Sequence, residues 1–373
     1  MNRDLARGFG DVPPNRLVSP PPLPDRDRGI QGERVIYVTT KTKGRIFSGM
    51  RPSGRLHLGN WLGALQNWVA LQDDYECVYS IVDVHALTTL TDGHEAGEIA
   101  SNVNEIALDW LAAGLDPERS IIFVQSHVPE VMTLHTLLSM VTPLGWLMRV
   151  PTFKDRVRQM NETEESVSYG LVGYPVLQTA DILLYKADTV PVGADQVAHL
   201  ELAREIVRRF NNMFGPTFAE PMAKLTETPL IIGLDGKNKM SKSMDNHIEL
   251  AATPEETAAR LKTAFTDPQR LRRTDPGRPD VCNIYSLHKF FNPGDLKTVY
   301  DECTTATRGC VDCKAHLADG INKSLGPLRE RRQDLAAHPE RLKEILADGA
   351  GKASVIAKET ILEVRERLGI SIP

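Results

Sequence analysis

Between residues 45 and 124, the chain alternates short apolar runs with longer amphipathic stretches. Residues 45–49, 77–82 and 120–124 are apolar runs of the kind that form buried strands. Between them, apolar side chains recur at helical spacing over about 59–71 and 95–113. Strands separated by helices predict a parallel sheet with right-handed crossovers, in which ligands bind beyond the carboxyl ends of the strands.

Beyond about residue 250 the pattern becomes helical. Thr253-Pro254-Glu255-Glu256 combines an N-cap threonine, a proline at the first helical position and a glutamate that closes a capping box. Apolar side chains then keep helical spacing at Leu317, Ile321, Leu325, Leu328, Ile361, Val364 and Leu368. The predicted fold class is therefore α/β, with a Rossmann-like parallel-sheet domain over 41–248 and a mostly α-helical domain over 249–373.

The segment before this fold, residues 1–40, has a different composition. It is rich in proline and arginine and includes Ser19-Pro20-Pro21-Pro22-Leu23-Pro24. Such a segment buries little apolar surface and favours extended backbone. We predict that it is a disordered extension.

Composition narrows the class of protein. Hydrophobic residues make up 41% of the 373 positions, enough for a sizeable core. No apolar run approaches the roughly 20 residues that span a bilayer, and no secretory signal precedes the fold. A net charge of -5 argues against a basic coat over the whole surface, although it allows a local basic patch for a nucleic acid. We predict a cytoplasmic protein without a membrane segment.

Four of the five cysteines fall in one short region. Cys77 lies alone in an apolar run, whereas Cys282, Cys303, Cys310 and Cys313 read C-x20-C-x6-C-x2-C. In a chain without an export signal, such a cluster indicates a metal site before it indicates disulfides. Four thiolates fit either zinc or an iron–sulfur cluster, and the spacing alone leaves both open.

The first segment with candidate chemistry joins the first strand to the first helix. It runs from Arg51-Pro52-Ser53-Gly54 to His57-Leu58-Gly59-Asn60. Glycines permit a tight turn and close approach of a ligand, and a helix start presents free N–H groups to phosphate oxygens. His57 and Asn60 add hydrogen-bonding side chains. An ordinary strand-to-helix turn is the alternative for this segment taken alone.

The second segment is Lys239-Met240-Ser241-Lys242-Ser243, flanked by Gly233 and Gly236. The glycines predict a mobile loop. Two lysines three residues apart could hold a polyphosphate and stabilise charge that develops on a leaving pyrophosphate. A solvated basic loop is the alternative.

Together the two segments resemble the signature motifs of class I aminoacyl-tRNA synthetases. Asn60 departs from the pattern, since many members carry histidine there. The resemblance implies ATP with Mg²⁺ as a substrate and assigns His57, Asn60, Lys239 and Lys242 to catalysis. It also implies an ATP site composed of Arg51, Ser53, Gly59, Asn60, Asp195, Lys239, Ser241 and Lys242.

Four further segments carry a more specific resemblance: residues 47–54, 82–86, 174–183 and 190–196. They resemble bacterial tryptophanyl-tRNA synthetases, and the likeness extends from about residue 45 to the end of the sequence. An indole ring offers only a donor, so its site needs one acceptor, for which Asp181 is the candidate. The resemblance implies that the remaining pocket residues are Phe47, His85, Tyr174, Gln178, Val190, Val192 and Gln196. It also implies a phosphate contact from Lys154 or Arg156.

The same resemblance implies tRNA(Trp) and L-tryptophan as substrates, a homodimer and an anticodon-binding role for the helical domain. The four cysteines resemble a subgroup that carries a [4Fe-4S] cluster, with Zn²⁺ as the alternative. Two other functions remain to be weighed. A tyrosyl-tRNA synthetase usually has Gly-Gly-Ser-Asp-Gln near residues 191–196, which this chain lacks. A catalytically inactive RNA-binding paralogue would be expected to lose Asp181 or the lysine pair, and all three are present.

Overall fold

The computed structural model describes residues 43–89, 93–159, 163, 166–193, 196–225 and 230–370. The predicted extension over residues 1–40 lies outside them. The described residues from Lys43 onward belong to one compact unit. The predicted domain boundary at residue 248 stays a prediction.

A five-stranded parallel sheet forms the centre of this unit, with strand order β3-β2-β1-β4-β5. The strands are β1 (Arg45–Met50), β2 (Glu76–Ile81), β3 (Ser120–Val124), β4 (Thr189–Val192) and β5 (Met222–Leu225). The predicted α/β class and its first three strands are confirmed. The sequence pattern did not predict β4 and β5, because each has only four residues and β4 contains Pro191, which disfavours a strand assignment.

Helices cover both faces of the sheet. In the first part of the chain they are α1 (Leu58–Asn60), a π-helical turn (Trp61–Leu65), α2 (Gln66–Leu71), α3 (Asp83–Leu87), α4 (Gly93–Ala113), α5 (Glu130–Ser139), α6 (Leu144–Leu147), α7 (Pro151–Gln159), α8 (Tyr169–Leu184) and α9 (Val197–Phe214). None of the helices in the described segments is long and apolar enough to cross a lipid bilayer.

The remainder of the chain is helical, as predicted. Its helices are α10 (Pro254–Thr263), α11 (Asn283–Phe291), α12 (Leu296–Thr304), α13 (Cys310–Ala337) and α14 (Pro339–Leu368). The predicted capping box begins α10, since Thr253 Oγ1 accepts from Glu256 N at 3.1 Å and Thr253 N donates to Glu256 Oε2 at 2.8 Å.

Successive strand residues point to opposite faces, and each face has its own core. On one face, Ile46 and Ile122 pack in the same buried cluster as Trp110 of α4 and Leu325 of α13. On the other face, Phe47 belongs to a cluster that includes α8, α9 and α14. The late helices α13 and α14 therefore complete the cores on the two faces of a sheet formed by the first part of the chain.

Candidate functional site

A cavity of about 590 Å³ opens at the carboxyl ends of β1 and β4. These neighbouring strands are the point at which the strand order reverses, which is where parallel sheets bind ligands. The cavity is lined by nine of the residues singled out in the sequence: Phe47, Arg51, His85, Tyr174, Gln178, Asp181, Val190, Val192 and Gln196.

One side of the cavity is apolar. Phe47 of β1 and Val190 and Val192 of β4 are at most 7% exposed. Phe47 stacks on Tyr185, with ring centroids 5.5 Å apart and an angle of 12° between the rings. This arrangement provides a flat apolar wall of the kind that an aromatic substrate requires.

Asp181 is a buried carboxylate on this cavity, with a relative exposure of 2%. It lies on α8, where buried apolar residues precede and follow it. Its oxygens contact Gln125 Nε2, at 2.8 Å from each oxygen, and His85 Nε2, at 2.9 Å. A carboxylate keeps further acceptor capacity beyond these contacts, so Asp181 can also accept from an N–H of a bound ligand.

Gln125 was not singled out in the sequence. Its Oε1 accepts from the backbone N–H groups of Val84 and His85, at 3.1 and 3.2 Å, so its Nε2 must face Asp181. Gln125 is completely buried. It directly follows β3, and a polar residue at the carboxyl end of a parallel strand is a sequence signal that could have identified it.

His199 of α9 is a second residue that the sequence did not indicate. It is 5% exposed and lines the cavity, where its Nε2 lies 2.8 Å from the hydroxyl of Tyr174. This contact restrains the Tyr174 hydroxyl beside the cavity. His199 occurs within an ordinary amphipathic helix, so no local pattern distinguishes it.

The segment from Arg51 to Asn60 leaves this cavity and begins α1. His57 Nδ1 accepts from Gly59 N at 3.1 Å, and Asn60 Oδ1 accepts from His57 N at 3.0 Å. Burial, His247 and the two loop lysines lower the pKa of His57 to about 4. The imidazole is therefore neutral near pH 7, with its proton on Nε2. Asn60, the departure from the family pattern, serves as the capping partner of His57.

The lysine loop packs against this segment. Leu58 N donates to Ile248 O at 3.0 Å and Leu250 N donates to Leu56 O at 2.9 Å, so the two stretches pair. Gly54 has a φ of 93°, and a Cβ built there would lie 2.5 Å from Lys242 Nζ. The structure thus brings Lys242 to the turn that precedes His57.

Asn246 determines the shape of the lysine loop. It is 3% exposed, and its side chain accepts from Ser241 N at 2.8 Å and donates to Asp235 and to Lys239 O. Met240 is buried, Lys239 is exposed and Lys242 is half-buried. Burial lowers the pKa of Lys242, although nearby carboxylates oppose this effect.

Four other residues were predicted to contact ATP or its phosphates. Ser53 is exposed and its N–H donates to Arg51 O at 2.8 Å. Lys154 is exposed on α7. Asp195 and the side chain of Arg156 lie outside the part of the chain that the structure describes.

The four clustered cysteines are free and half-buried. Within the described segments, no group of three or more His, Cys, Asp or Glu has the arrangement of a metal site. The thiols nevertheless lie close enough to affect one another. Burial and Cys282 raise the pKa of Cys313 to about 12, and burial together with Cys282 and Cys310 raises that of Cys303, which Arg270 opposes.

Comparison with known proteins shows the family of this chain. Residues 39–326 match the family model of class I tRNA synthetases (W and Y). The tryptophan–tRNA ligase of Deinococcus radiodurans is 45% identical, with 87% of this chain and 98% of that protein covered. That of Thermotoga maritima is 43% identical, covering 87% and 99%.

Solved structures give the same result. The tryptophanyl-tRNA synthetase of Campylobacter jejuni, complexed with ADP and tryptophan, matches with a TM-score of 0.79 and 35% identity, covering 87% of this chain and 99% of that one. A tyrosyl-tRNA synthetase of Archaeoglobus fulgidus has a TM-score of 0.60 at 23% identity, which indicates the shared fold alone. The chain therefore belongs to the class I tRNA synthetases and, within them, to the bacterial tryptophan–tRNA ligases.

Proposed function

We propose that this protein activates L-tryptophan with ATP and transfers it to tRNA(Trp), using the cavity at β1 and β4 for the amino acid. The observation that carries the proposal is the buried Asp181 carboxylate beside a flat apolar wall. A buried acceptor selects an indole N–H over the bare ring of phenylalanine, because phenylalanine would leave the acceptor unpaired. Such discrimination makes an editing domain unnecessary.

In the first step, the tryptophan carboxylate attacks the α-phosphate of Mg-ATP, forming tryptophanyl-adenylate and releasing pyrophosphate. No enzyme nucleophile is required, so catalysis rests on positioning and charge stabilisation. Tyr174 and Gln196 hold the amino group of tryptophan. His57, as a neutral donor, and Asn60 border the phosphates, while Lys239 and Lys242 neutralise the leaving pyrophosphate. Arg51, Ser53, Gly59, Asp195 and Ser241 complete the ATP site.

In the second step, a ribose hydroxyl of the terminal adenosine of the tRNA attacks the tryptophanyl carbonyl of the adenylate. An ester forms, the acyl–phosphate bond breaks and AMP leaves. Membership of class I favours the 2′-hydroxyl as the nucleophile. The helical region over 249–373 would meet the anticodon. Its helices α13 and α14 complete the cores of the sheet, so tRNA bound there contacts a body that is continuous with the catalytic site.

Amino-acid-dependent exchange of pyrophosphate with ATP tests the function. We expect exchange with tryptophan, and none above background with tyrosine or phenylalanine. Exchange with tyrosine would instead support the tyrosyl enzyme. No exchange with any of the twenty amino acids would support the inactive paralogue.

We also propose that Cys282, Cys303, Cys310 and Cys313 bind a [4Fe-4S] cluster, with Zn²⁺ as the alternative. Sulfur donors suit both. Arg270 Nη1 lies 3.7 Å from Cys303 Sγ, and Lys314 interacts electrostatically with the other three thiols, so positive charge is available to offset four thiolates. The cluster would brace the helical region, since Cys310 and Cys313 begin α13.

Protein purified without oxygen should be brown and contain iron and sulfide. Cys310→Ser should remove the colour and the iron, because three thiolates cannot complete the ligand set. Cys77→Ser is the matched control, since Cys77 lies in β2 outside the cluster, and it should leave both unchanged. Colourless anaerobic protein with stoichiometric zinc would contradict the iron–sulfur assignment.

Finally, we propose a homodimer, the most common form among soluble oligomers. What supports it are three exposed apolar side chains: Met140 just after α5, Leu144 at the start of α6 and Met213 on α9, which are 76%, 62% and 51% exposed. Arg209 of α9 links these elements, since it donates to Val141 O and lies over the ring of Trp146 in α6. Light scattering should give a dimer mass, and Leu144→Glu should shift it to that of a monomer. Leu271→Glu, at a residue that is 87% exposed elsewhere, should not. A monomer mass for the unmodified protein would refute the proposal.

A further inference from the structure

Helix α13 reaches from the cysteine region to the helix α4 that packs beneath the ATP segment. Near its end, Arg332 Nε donates to Asp109 Oδ1 at 2.6 Å. Arg332 Nη2 donates to Glu105 Oε2, also at 2.6 Å. Both carboxylates belong to α4, so one guanidinium joins two turns of that helix to α13.

Asp109 is completely buried, which is rare for a carboxylate. Its second oxygen accepts from the backbone N–H of Leu56, at 2.8 Å. Leu56 immediately precedes His57, and its carbonyl is occupied by Leu250 N. The two backbone hydrogen bonds of Leu56 therefore fix the chain at the residue before the ATP-side histidine, and one of them depends on Asp109.

The same carboxylates extend toward the lysine loop. Glu105 Oε2 also accepts from Arg55 Nε at 2.6 Å, and Arg55 Nη1 lies 3.5 Å from Glu249 Oε2. Asp109, Glu105 and Glu249 all favour the charged form of Lys242. Asp109 therefore interacts with both signature segments: with the first through the N–H of Leu56 and with the second through the charge of Lys242.

We propose that Arg332 is a positioning residue for the activation step: through Asp109 and Leu56 it holds His57 in register with Lys242. The inference rests on the proposed ATP-binding role of the segment from Arg51 to Asn60. Arg332 lies in the C-terminal helices, 223 positions after Asp109 in the sequence. A residue of the helical region would thus act on the ATP-binding segment.

The physical reason lies in the burial of Asp109. Burial raises the pKa of its carboxyl, and Arg332 and the Leu56 N–H oppose that effect. Without the guanidinium, the buried charge loses its counter-ion and the carboxyl takes up a proton at higher pH. A protonated Asp109 is a weaker acceptor for Leu56 N–H, so the turn before His57 loosens.

Arg332→Met should lower kcat for tryptophan-dependent pyrophosphate exchange on the order of tenfold to a hundredfold, the size of effect expected from a small misplacement of catalytic groups. KM for tryptophan should change by less than about twofold, because the cavity is untouched. In Arg332→Met, kcat should also rise with pH over the range in which Asp109 ionises. The unmodified protein should show no such rise over that range.

Two further variants distinguish a positioning role of Arg332 from a role in stabilising the fold alone. Arg331→Met removes a neighbouring arginine of α13 that donates to Ala112 O on the same helix α4, at 2.8 Å. It should lower the melting temperature and leave kcat and its pH profile unchanged. Asp109→Asn combined with Arg332→Met should recover much of the lost kcat. An amide oxygen is a stronger acceptor for Leu56 N–H than a protonated carboxyl, and unlike a carboxylate it needs no counter-ion.

Wild-type kcat in Arg332→Met, measured below its melting temperature, would overturn the inference, as would a loss that is independent of pH and not rescued by Asp109→Asn. His57→Ala distinguishes this failure from that of the proposed function. If His57→Ala impairs exchange while Arg332→Met does not, only the positioning role is wrong. If neither variant impairs exchange, the proposed ATP-binding role of the segment from Arg51 to Asn60 is wrong.

Discussion

Asp181→Ala is expected to reduce kcat/KM for tryptophan roughly a hundredfold, or about 3 kcal/mol, the upper range for a hydrogen bond to a charged group. The carboxylate is buried beside the apolar wall, where an indole N–H that loses its acceptor would stay unpaired. The substitution also leaves Gln125 and His85 without their shared partner. Exchange kinetics with varied tryptophan would measure the loss.

An analogue distinguishes loss of the indole contact from general damage. In benzothienylalanine, sulfur replaces the indole N–H, so the unmodified protein should activate it far more slowly than tryptophan. In Asp181→Ala that preference should disappear, because the acceptor that created it is gone. Glu201→Ala, at an exposed carboxylate of α9, is the control and should retain the preference. A preference that persists in Asp181→Ala would remove Asp181 from the indole site.

Lys242→Ala is expected to lower kcat for exchange on the order of a hundredfold while leaving the affinity for tryptophan nearly unchanged. Lys242 lies against the Gly54 turn, and in the proposed mechanism it meets the charge that grows on the leaving pyrophosphate. An interaction that matures in the transition state affects the rate and not ground-state binding. Single-turnover formation of adenylate, together with tryptophan binding measured without ATP, would separate the two quantities.

Lys237→Ala provides the matched control for that experiment. Lys237 is an exposed lysine of the same loop, five positions before Lys242, and its backbone rather than its side chain contacts Asp235. It should exchange at close to the normal rate. A Lys242→Ala protein that binds tryptophan weakly and keeps its forward rate would contradict the assignment.

The sequence predicted those features that depend on residues close together in the chain. Periodicity predicted the first three strands and the helical region over 249–373, and the capping box at Thr253 identified the start of α10. The signature segments stood out because glycine, histidine and lysine occur there in an unusual local order. These features depend on neighbouring residues alone, so the sequence is sufficient to identify them.

What the sequence did not reveal depends on pairing between distant residues. The position of Gln125 directly after β3 marks it as a candidate, but its partner Asp181, 56 positions away, is known only from the fold. Asp109 resembles any acid of an amphipathic helix, and Arg332 any surface arginine. Only the folded chain makes them a buried ion pair, since periodicity predicts which face is covered and not which partner covers it.

The close packing of α14 on β3 has a consequence for synthesis of the chain. A Cβ at Gly349 would lie 1.9 Å from Ile122 O, so the helix touches the backbone of a strand that is at the edge of the sheet. Until the ribosome has completed α14, the outer edge of β3 is not covered by this helix. An open strand edge is a template for aggregation. Nascent chains that stall before α14 should therefore depend on chaperones more than the completed protein does.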